Sequence, residues 1–225
     1  MGGGTVRDVV AIDGPGGVGK STVAAALADR LGVAHVDTGA YYRAATLACL
    51  RAGVPLGEGP ACARVVEQAH IDRRGGRTFL DGADVEHAIR GPEVTEHVSQ
   101  VAGHPQVRRL LVPRQRAATA HGGVVEGRDA GTAVVPDAPA KVWLSADPRE
   151  RAARRARQLG ITDPAEIDAL TADLARRDTA DARQMERAHD AIVVDTSERT
   201  VTQVVEAIVE RLPTGPDHVR MREGS

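Results

Sequence analysis

The stretch "AIDGPGGVGKST", from Ala11 to Thr22, decides the fold of this 225-residue chain. It fits the phosphate-binding pattern G-x-x-x-x-G-K-[ST], whose glycines let consecutive backbone N–H groups turn inward around an anion. The pattern requires a buried strand before the loop and a helix after it. The β-branched, apolar run 9–12 predicts the strand, and "STVAAALADRL", followed by Gly32, predicts the helix. We therefore expect the amino end of this helix to face bound phosphates.

Every residue of this loop is a candidate for binding the donor nucleotide. Lys20 is expected to reach the β- and γ-phosphates, which makes it a catalytic candidate, and the Ser21 hydroxyl is expected to bind Mg²⁺. A glycine-rich turn that binds nothing is the alternative, and the combined spacing, strand and helix argue against it. The donor-site candidates are Gly14, Pro15, Gly16, Gly17, Val18, Gly19, Lys20, Ser21 and Thr22.

The overall composition excludes several classes of protein. The 29 basic and 31 acidic residues leave a formal net charge of −2, which does not indicate a nucleic-acid partner. The sequence has no apolar segment of about 20 residues, so we expect no membrane-spanning helix. The start "MGGGTVRD" lacks the apolar core of a secretory signal. Cys49 and Cys62 have no metal or redox spacing, and the eight histidines are scattered, so we expect a reducing cytoplasm and no structural metal.

Short apolar runs alternate with helical stretches along the rest of the chain. This alternation predicts an α/β fold with a parallel sheet that is covered by helices on both faces. The further predicted strands are 33–36, 124–126, 141–145 and 191–195, and the predicted helices include 38–51 and 201–212. Ligands of such a sheet bind at the carboxyl ends of its strands.

Two segments interrupt this alternation. Residues 70–90 contain a Gly-Gly and an Asp-Gly turn signal on either side of "RTFL", which predicts a small inserted β-meander. Residues 147–187 are helical and rich in arginine, with a break at "GITDP", which predicts a mobile helical lid. We expect the tail, residues 213–225, to be disordered.

Four motifs occur in the order found in one enzyme family. "IDGPGGVGKST", "DTGAYYR", "GRDAGT" and "RDTAD" follow one another along the chain, and "SQVAGHPQVRRLLVPRQR" precedes the third. These motifs resemble I-D-G-P-x-G-x-G-K-x-T, D-[ST]-G-A-x-Y-R, G-R-D-x-G-T and R-D-x-x-D of bacterial cytidylate kinases, which are nucleoside-monophosphate kinases. The resemblance covers about residues 9–212, and the four motifs together are far more specific than the phosphate loop alone.

The resemblance implies a fold, a reaction and a setting. The fold is an α/β P-loop kinase core with a parallel five-stranded sheet flanked by helices, a small β-meander insertion in the NMP-binding region and a helical lid. The whole chain, 1–225, forms one domain with its core at about 7–60, 104–146 and 188–212, the insertion at 61–103 and the lid at 147–187. The reaction transfers the γ-phosphoryl group of ATP to CMP or dCMP with Mg²⁺, giving ADP and CDP or dCDP. We expect a cytoplasmic monomer of pyrimidine metabolism without nucleic-acid or membrane partners.

The resemblance also implies how the acceptor phosphate is held. Arg43 and Arg128 match the residues that clamp the CMP phosphate, for which a guanidinium fork is well suited. Thr38 adds a hydroxyl, and Arg128 is also a catalytic candidate. Arg154 and Arg155 lie on the predicted lid, and the resemblance implies that one or both of them swing onto the transferring phosphoryl group. The acceptor is already an anion, so we predict no general base.

The remaining acceptor residues surround the base and the ribose. Ser99, Arg108 and Asp129 match the positions that recognise cytosine, and Arg177 and Asp181 match those that contact the ribose and phosphate side. Plainer alternatives exist for some candidates: a lid arginine can simply face solvent, and Ser99 can be an ordinary helix hydroxyl. Likewise Asp37 can cap the following helix, and Tyr41 and Tyr42 are expected to pack in the interior.

Two departures from the family pattern affect these expectations. An arginine usually stands three residues after R-D-x-x-D, and here that position is Gln184, so we expect Arg183 to substitute for it. Gly16 stands where many relatives carry serine, and we expect little effect because the backbone still lines the loop.

Other classes of protein also contain a phosphate loop. A UMP/CMP kinase and a shikimate kinase share this core, but the pairing of G-R-D-x-G-T with D-T-G-A-x-Y-R argues against both. A GTP-binding switch usually reads guanine through N-K-x-D, and this sequence has no asparagine. A non-catalytic nucleotide sensor is a further alternative, against which the intact lysine, the arginines and the lid argue.

Overall fold

The computed structural model describes residues 9–212 of the protein. In chain order its strands are β1 (Val9–Asp13), β2 (His35–Asp37), β3 (Ile71–Arg74), β4 (Arg77–Leu80), β5 (Ala83–Asp84), β6 (Gly123–Gly127), β7 (Ala140–Ser145) and β8 (Ile192–Asp195). Its α-helices are α1 (Lys20–Leu31), α2 (Thr38–Arg51), α3 (Gly59–Gln68), α4 (Pro92–Ala102), α5 (Pro105–Ala117), α6 (Pro148–Leu159), α7 (Pro164–Asp181) and α8 (Val201–Val209).

Five parallel strands form the central sheet, in the order β2-β6-β1-β7-β8. All five residues of β1 are buried because this strand lies between two neighbours and helices cover both faces of the sheet. Asp13, Asp37 and Gly127 end three neighbouring strands at the same edge of the sheet. The predicted parallel α/β fold is confirmed, and its carboxyl edge is where ligands of such sheets bind.

One part of the core lies between the sheet and helices α1 and α8. Ile12, Leu27, Leu144 and Ile208 are completely buried there. Each such aliphatic side chain contributes about 1.5–3 kcal/mol when it is fully buried. This packing holds β1 and α1 rigidly on either side of the phosphate loop.

A second part of the core joins helices α2 to α5 to the insertion. Cys49, Val66, Ile89 and Leu111 are completely buried in it, and the side chains around them are mostly alanine and valine. Helix α2 thus packs both against β6 of the main sheet and against the inserted segment, including α4 and β4. The same helix begins with the "TGAYYR" part of a family motif, so this packing positions a predicted substrate site.

The insertion contains an antiparallel meander, in the order β3-β4-β5. Gly75 and Gly76 have φ values of +57° and +73°, and Asp81 and Gly82 have values of +51° and +83°. Two consecutive positive φ values are those of a type I′ hairpin turn, which Gly-Gly and Asp-Gly favour. The predicted meander is confirmed.

Helices α6 and α7 occupy the arginine-rich segment. Helix α6 is capped by Gly160, whose φ is +70°, and the side chain of Asp163 accepts a hydrogen bond from the backbone N–H of Ala165 at the start of α7. The predicted break at "GITDP" is therefore present. The sequence analysis did not delimit α3, α4 and α5, each of which has proline in its first turn.

Helix α8 ends at Val209, slightly before its predicted limit, and the tail at residues 213–225 lies outside the described residues. Of the helices within residues 9–212, none combines the length and the apolar character needed to cross a membrane.

Candidate active site

The loop between β1 and α1 has the backbone that its glycines predict. Gly14, Gly17 and Gly19 have φ values of +149°, +78° and +90°, in the region that other residues rarely adopt. A Cβ atom on Gly14 would overlap the carbonyl oxygen of Leu144. Space and backbone conformation therefore both require glycine at this position.

Lys20 lies over its own loop. Its Nζ donates hydrogen bonds to the carbonyl oxygens of Gly14, at 2.8 Å, and Pro15, at 2.7 Å. The side chain is buried, and burial, helped by the nearby charge of Arg128, lowers the pKa of Lys20 to about 7. The ammonium is thus held at the loop by weak neutral acceptors, where an anionic phosphate is a stronger partner.

Ser21 is the first residue in a short chain of side-chain hydrogen bonds. Its hydroxyl donates to Glu126 Oε2 at 2.9 Å, and the other oxygen of Glu126 lies 2.9 Å from His35 Nε2. Mg²⁺ is commonly held by one or two protein oxygens together with water and phosphate oxygens. Ser21 and Glu126 therefore fit a Mg²⁺ site completed by a nucleotide. Within residues 9–212 there is no group of three His, Cys, Asp or Glu side chains that could hold a metal ion unaided.

A cleft of about 320 Å³ opens beside the loop, between α2, α4 and the α6–α7 segment. Most of the side chains predicted for the site line this cleft. They are Lys20, Ser21, Thr38, Arg43, Ser99, Arg108, Arg128, Asp129, Arg155, Arg177 and Asp181, together with the loop residues Gly16 and Gly17. The predicted residues outside this lining are Gly14, Pro15, Val18, Gly19, Thr22, Arg154 and Arg183.

Several guanidinium groups converge in the cleft. Burial, together with neighbouring guanidiniums, lowers the pKa of Arg43 to about 10. These neighbours are Arg177, Arg90 and Arg128. Burial and Arg128 likewise lower the pKa of Arg177, whose Nε has no hydrogen-bond partner within residues 9–212. Guanidiniums that repel one another in a partly buried place are stabilised by an anion between them.

Two of these arginines are fixed by specific partners. Arg43 donates to the carbonyl oxygen of Ile89 at 3.1 Å and to Thr95 Oγ1 at 2.9 Å. Arg128 donates to Asp181 Oδ2 at 3.0 Å and to the carbonyl oxygen of Gly14 at 3.2 Å. Arg128 thus bridges the phosphate loop and α7.

A paired cation and anion form another wall of the cleft. Arg108, on α5, makes an ion pair with Asp129, just after β6. Burial raises the pKa of Asp129, while Arg108 opposes this rise. The Arg108 guanidinium also lies over the ring of Tyr42, 5.6 Å from its centroid. Tyr42 is buried, as predicted, and in addition lines the cleft; its hydroxyl has no partner in the described part of the chain.

The two arginines predicted for the lid point to different places. Arg155 lines the cleft. Arg154 instead donates to Thr196 Oγ1 at 2.9 Å and to the carbonyl oxygen of Ser197 at 3.1 Å, in the loop after β8. Arg183 is exposed outside the cleft lining, and it is Gln184 that lines the cleft.

Two residues that the sequence analysis did not single out contact the phosphate loop. Arg151, on α6, is buried, donates to the carbonyl oxygen of Gly16 at 3.0 Å and pairs with Asp178 on α7. Asp178 also accepts a hydrogen bond from the Gly16 N–H at 3.1 Å. Asp178 could have been found from its place in the motif "RDTAD". Nothing in the sequence distinguishes Arg151 from the other arginines of α6.

Asp37 caps the amino end of helix α2, which is the plainer of the two roles considered for it in the sequence. Its carboxylate accepts a hydrogen bond from the Ala40 N–H at 3.0 Å, at the start of α2. The other carboxylate oxygen accepts from Arg90, which also lines the cleft. The cap orients α2, and with it Thr38, whose hydroxyl donates to the Glu126 carbonyl oxygen at 2.7 Å.

Comparison with known proteins identifies the family. The sequence pattern described as "Cytidylate kinase" matches residues 10–214. The chain belongs to the cytidylate kinase family. The cytidylate kinase of Geobacillus sp. (strain WCH70) is 42% identical, over 89% of this chain and 94% of that protein. Those of Nocardia farcinica and Corynebacterium glutamicum are 45% and 46% identical, covering 92% and 89% of this chain and 96% and 92% of the relatives.

Membership of the cytidylate kinase family confirms the resemblance of the four motifs. It makes the chain a nucleotide-binding kinase, a transferase that phosphorylates CMP with ATP as donor. The cleft with its phosphate loop, clustered arginines and Arg108–Asp129 pair is the part of the molecule that suits this chemistry.

Proposed function

We propose that this cleft binds CMP or dCMP beside ATP and transfers the γ-phosphoryl group, giving ADP and CDP or dCDP in pyrimidine nucleotide metabolism. The observation that carries the proposal is the convergence of Arg43, Arg128 and Arg177 next to the Lys20 loop. Phosphoryl transfer requires two phosphates held in line and their negative charge neutralised. A cluster of cations beside a phosphate loop supplies both.

On the donor side, ATP lies with its phosphates on the loop. Lys20 exchanges the carbonyl oxygens of Gly14 and Pro15 for phosphate oxygens, while the N–H groups at the start of α1 face the same anion. Ser21 and Glu126 hold Mg²⁺, whose charge offsets that of the donor phosphates.

On the acceptor side, Arg43 and Arg128 clamp the CMP phosphate, and Thr38 adds its hydroxyl. Both guanidiniums are already fixed by Ile89, Thr95 and Asp181, so little side-chain freedom is lost when the phosphate binds. Arg177 and Asp181 face the ribose and phosphate side. The acceptor attacks as an anion, so no general base is proposed.

The base is recognised by the Arg108–Asp129 pair, with Ser99 beside it. Cytosine presents an amino donor at C4 and acceptors at N3 and O2. A carboxylate that faces C4 and a guanidinium that faces N3 and O2 match this pattern. Uracil reverses it at C4 and N3, which leaves buried polar groups mispaired.

The lid is the α6–α7 segment. We propose the division into a core at about 7–60, 104–146 and 188–212, an insertion at 61–103 and a lid at 147–187. Arg155 is the lid arginine whose position in the cleft suits contact with the transferring phosphoryl group, whereas Arg154 is engaged at the loop after β8. Arg183 is exposed outside the cleft lining and Gln184 lines the cleft, so we propose no arginine in place of the missing one.

The proposed setting is the cytoplasm, with the chain acting as a monomer and without nucleic-acid partners. The near-neutral charge balance supports the absence of a nucleic-acid partner, and the buried free thiols Cys49 and Cys62 suit a reducing compartment. Size-exclusion chromatography with light scattering tests the monomer, for which the expected mass is 23.7 kDa.

The decisive experiment compares CMP with UMP as acceptors at saturating ATP. The wild type is expected to prefer CMP by roughly 10² to 10⁴ in kcat/KM, because uracil leaves two buried contacts mispaired. Arg108→Met should reduce this preference. The matched control is Arg43→Met, which should weaken both acceptors alike because a phosphate clamp carries no information about the base.

Near-equal use of CMP and UMP by the wild type would contradict this specificity and favour a broader UMP/CMP kinase. An unchanged CMP:UMP ratio in Arg108→Met would remove Arg108 from the base site while leaving the reaction intact. A loss of discrimination in Arg43→Met would assign Arg43 to the base rather than to the phosphate.

A further inference from the structure

A buried carboxylate connects the two halves of the site. Asp13, the last residue of β1, is 4% exposed. Its Oδ1 accepts a hydrogen bond from the Ala130 N–H at 2.7 Å, and its Oδ2 accepts one from the Gly131 N–H at 2.8 Å. Both donors belong to the turn at Ala130–Val134, which directly follows Arg128 and Asp129 in the sequence.

This turn has an unusual backbone. It is a single π-helical turn, a conformation that is rare overall and frequent at functional sites. It also packs tightly on β1: a Cβ atom on Gly131 would lie 3.3 Å from Asp13 Oδ2 and 3.4 Å from Ala11 Cβ. The turn therefore depends on Asp13 for hydrogen bonding and on the small size of Gly131 for its closeness to the strand.

Burial makes the charged form of the Asp13 carboxyl group energetically unfavourable. Burial raises the pKa of its carboxyl to about 6, although hydrogen bonds from Gly131 and Ala130 lower it, and the charge of Asp129 raises it further. Lys20 is the cation that acts in the opposite direction. Replacing buried ionic groups with apolar residues is often neutral or stabilising, so a buried carboxylate calls for a specific structural reason. The two N–H groups explain why a carboxylate occupies this position.

We propose that Asp13 is a positioning residue for base recognition: it fixes the turn that directly follows Arg128 and Asp129 against β1, which leads into the phosphate loop. The inference rests on the proposed function, since it assigns Asp129 to the base. Asp13 itself does not line the cleft. It acts through backbone hydrogen bonds that hold the acceptor-side residues in a set position relative to the donor loop.

The substitution Asp13→Asn tests this inference. Asparagine keeps the size but turns an N–H₂ group toward one of the two backbone N–H donors, so the turn loses one of its hydrogen bonds. Misplacing a positioned group by about 1 Å costs up to about a hundredfold in rate, so we expect the CMP:UMP ratio of kcat/KM to fall about tenfold or more. The KM for ATP should change far less, since the loop's own contacts remain.

The matched control is Asp37→Asn. Asp37 is likewise a buried carboxylate at the end of a strand of this sheet, and it accepts a backbone N–H from Ala40. Loss of the Asp37 carboxylate should lower kcat/KM for CMP and UMP alike, because Asp37 orients the phosphate side of the cleft. A general loss of structure would lower activity with both acceptors equally in either variant, and would not change their ratio.

A second variant covers the case in which Asp13→Asn does not fold. Gly131→Ala retains the carboxylate but forces the turn away from β1 by a few tenths of an ångström, so it should lower the same ratio. A wild type with no preference for CMP would overturn the proposed function itself. A wild type that prefers CMP, with an unchanged ratio in folded Asp13→Asn and Gly131→Ala proteins, would overturn only this inference.

Discussion

At the scale of single residues, Lys20 links the geometry of the phosphate loop to its chemistry. The Lys20 ammonium donates hydrogen bonds to two backbone carbonyl oxygens, and burial lowers the pKa of Lys20 to about 7. Phosphate oxygens offer a charged partner in the same place. Both the catalytic role and the titration of this residue are therefore open to direct measurement.

Lys20→Ala is expected to remove transfer activity while leaving the fold intact. Loss of a charge contact to the transferring phosphates should lower kcat by roughly 10² to 10³. Steady-state assays give the rate, and circular dichroism checks the fold. A variant that kept more than about a tenth of the wild-type kcat would have lost less than about 1.4 kcal/mol and would contradict the assignment.

ATP binding is expected to take up a proton above pH 7. The buried Lys20 is partly neutral there, because its pKa is about 7, and the phosphates favour the charged form. Calorimetry at pH 8 in buffers of different ionisation enthalpy measures this uptake. Lys20→Arg provides the control, since a guanidinium stays charged and should reduce the uptake at this pH. Equal uptake in both proteins would assign the proton to another group.

The sequence predicted residues whose role depends on motif spacing. Lys20, Arg43 and Arg128 could be found because each stands at a defined place in a motif, and each lies at the cleft. Arg151 and Arg154 could not be told apart in this way. Arg151 and Arg154 both contact the phosphate loop, whereas Arg155 lines the cleft. This distribution depends on how α6 is rotated against α7, and the rotation is set by tertiary packing rather than by local sequence.

At the scale of elements, the two loop glycines Gly14 and Gly16 are expected to respond very differently to substitution. Gly14→Ala would place a Cβ on the Leu144 carbonyl oxygen at a φ of +149°, and backbone strain plus overlap should lower the free energy of unfolding by about 2–5 kcal/mol. Gly16→Ser is the control, because the nearest atom to a Cβ there is Leu174 Cδ2 at 3.4 Å. Denaturant titration measures both.

A small effect of Gly14→Ala would mean that the loop can shift away from β7. A large effect of Gly16→Ser would contradict the expectation that this family position accepts either residue. The two variants together thus distinguish a glycine that the backbone conformation requires, Gly14, from one that another residue can replace, Gly16.

The α6–α7 segment is expected to close when both nucleotides bind. Arg151 and Asp178 already touch the phosphate loop, so closure needs only that the arginines gain phosphate partners. Closure excludes water that could otherwise accept the phosphoryl group. Hydrogen exchange with and without a bisubstrate analogue measures it. Unchanged protection throughout residues 149–183 would argue against a lid.

Elements with strong local signals could be predicted from the sequence. The meander was found because Gly-Gly and Asp-Gly favour the positive φ values of its turns. Helices α3 to α5 were harder, because their stability comes from the buried face they share with α2 rather than from a local pattern. The π-helical turn at Ala130–Val134 could not be predicted, since it depends on Asp13, which is distant in sequence.

At the scale of the whole molecule, Lys20 should affect how stability depends on pH. Its pKa is lowered from 10.5 to about 7, so the folded state releases a proton that the unfolded state keeps between these values. The contribution of this group to the free energy of unfolding therefore rises as pH increases from 7 to 10. Subtracting the pH profile of Lys20→Met from that of the wild type should isolate a rise on the order of a few kcal/mol. A flat difference would contradict the lowered pKa.

The central place of β1 also bears on how the chain folds as it is made. Val9 pairs with Gly123 and Val10 with Ala140, so both neighbours of this strand lie in the second half of the 225-residue sequence. Domains emerge from the ribosome amino end first, and contacts between distant parts of a chain form slowly. The apolar strand "VVAID" therefore leaves the ribosome long before it has a partner. Nascent chains that end before residue 123 are the ones that most need protection from aggregation.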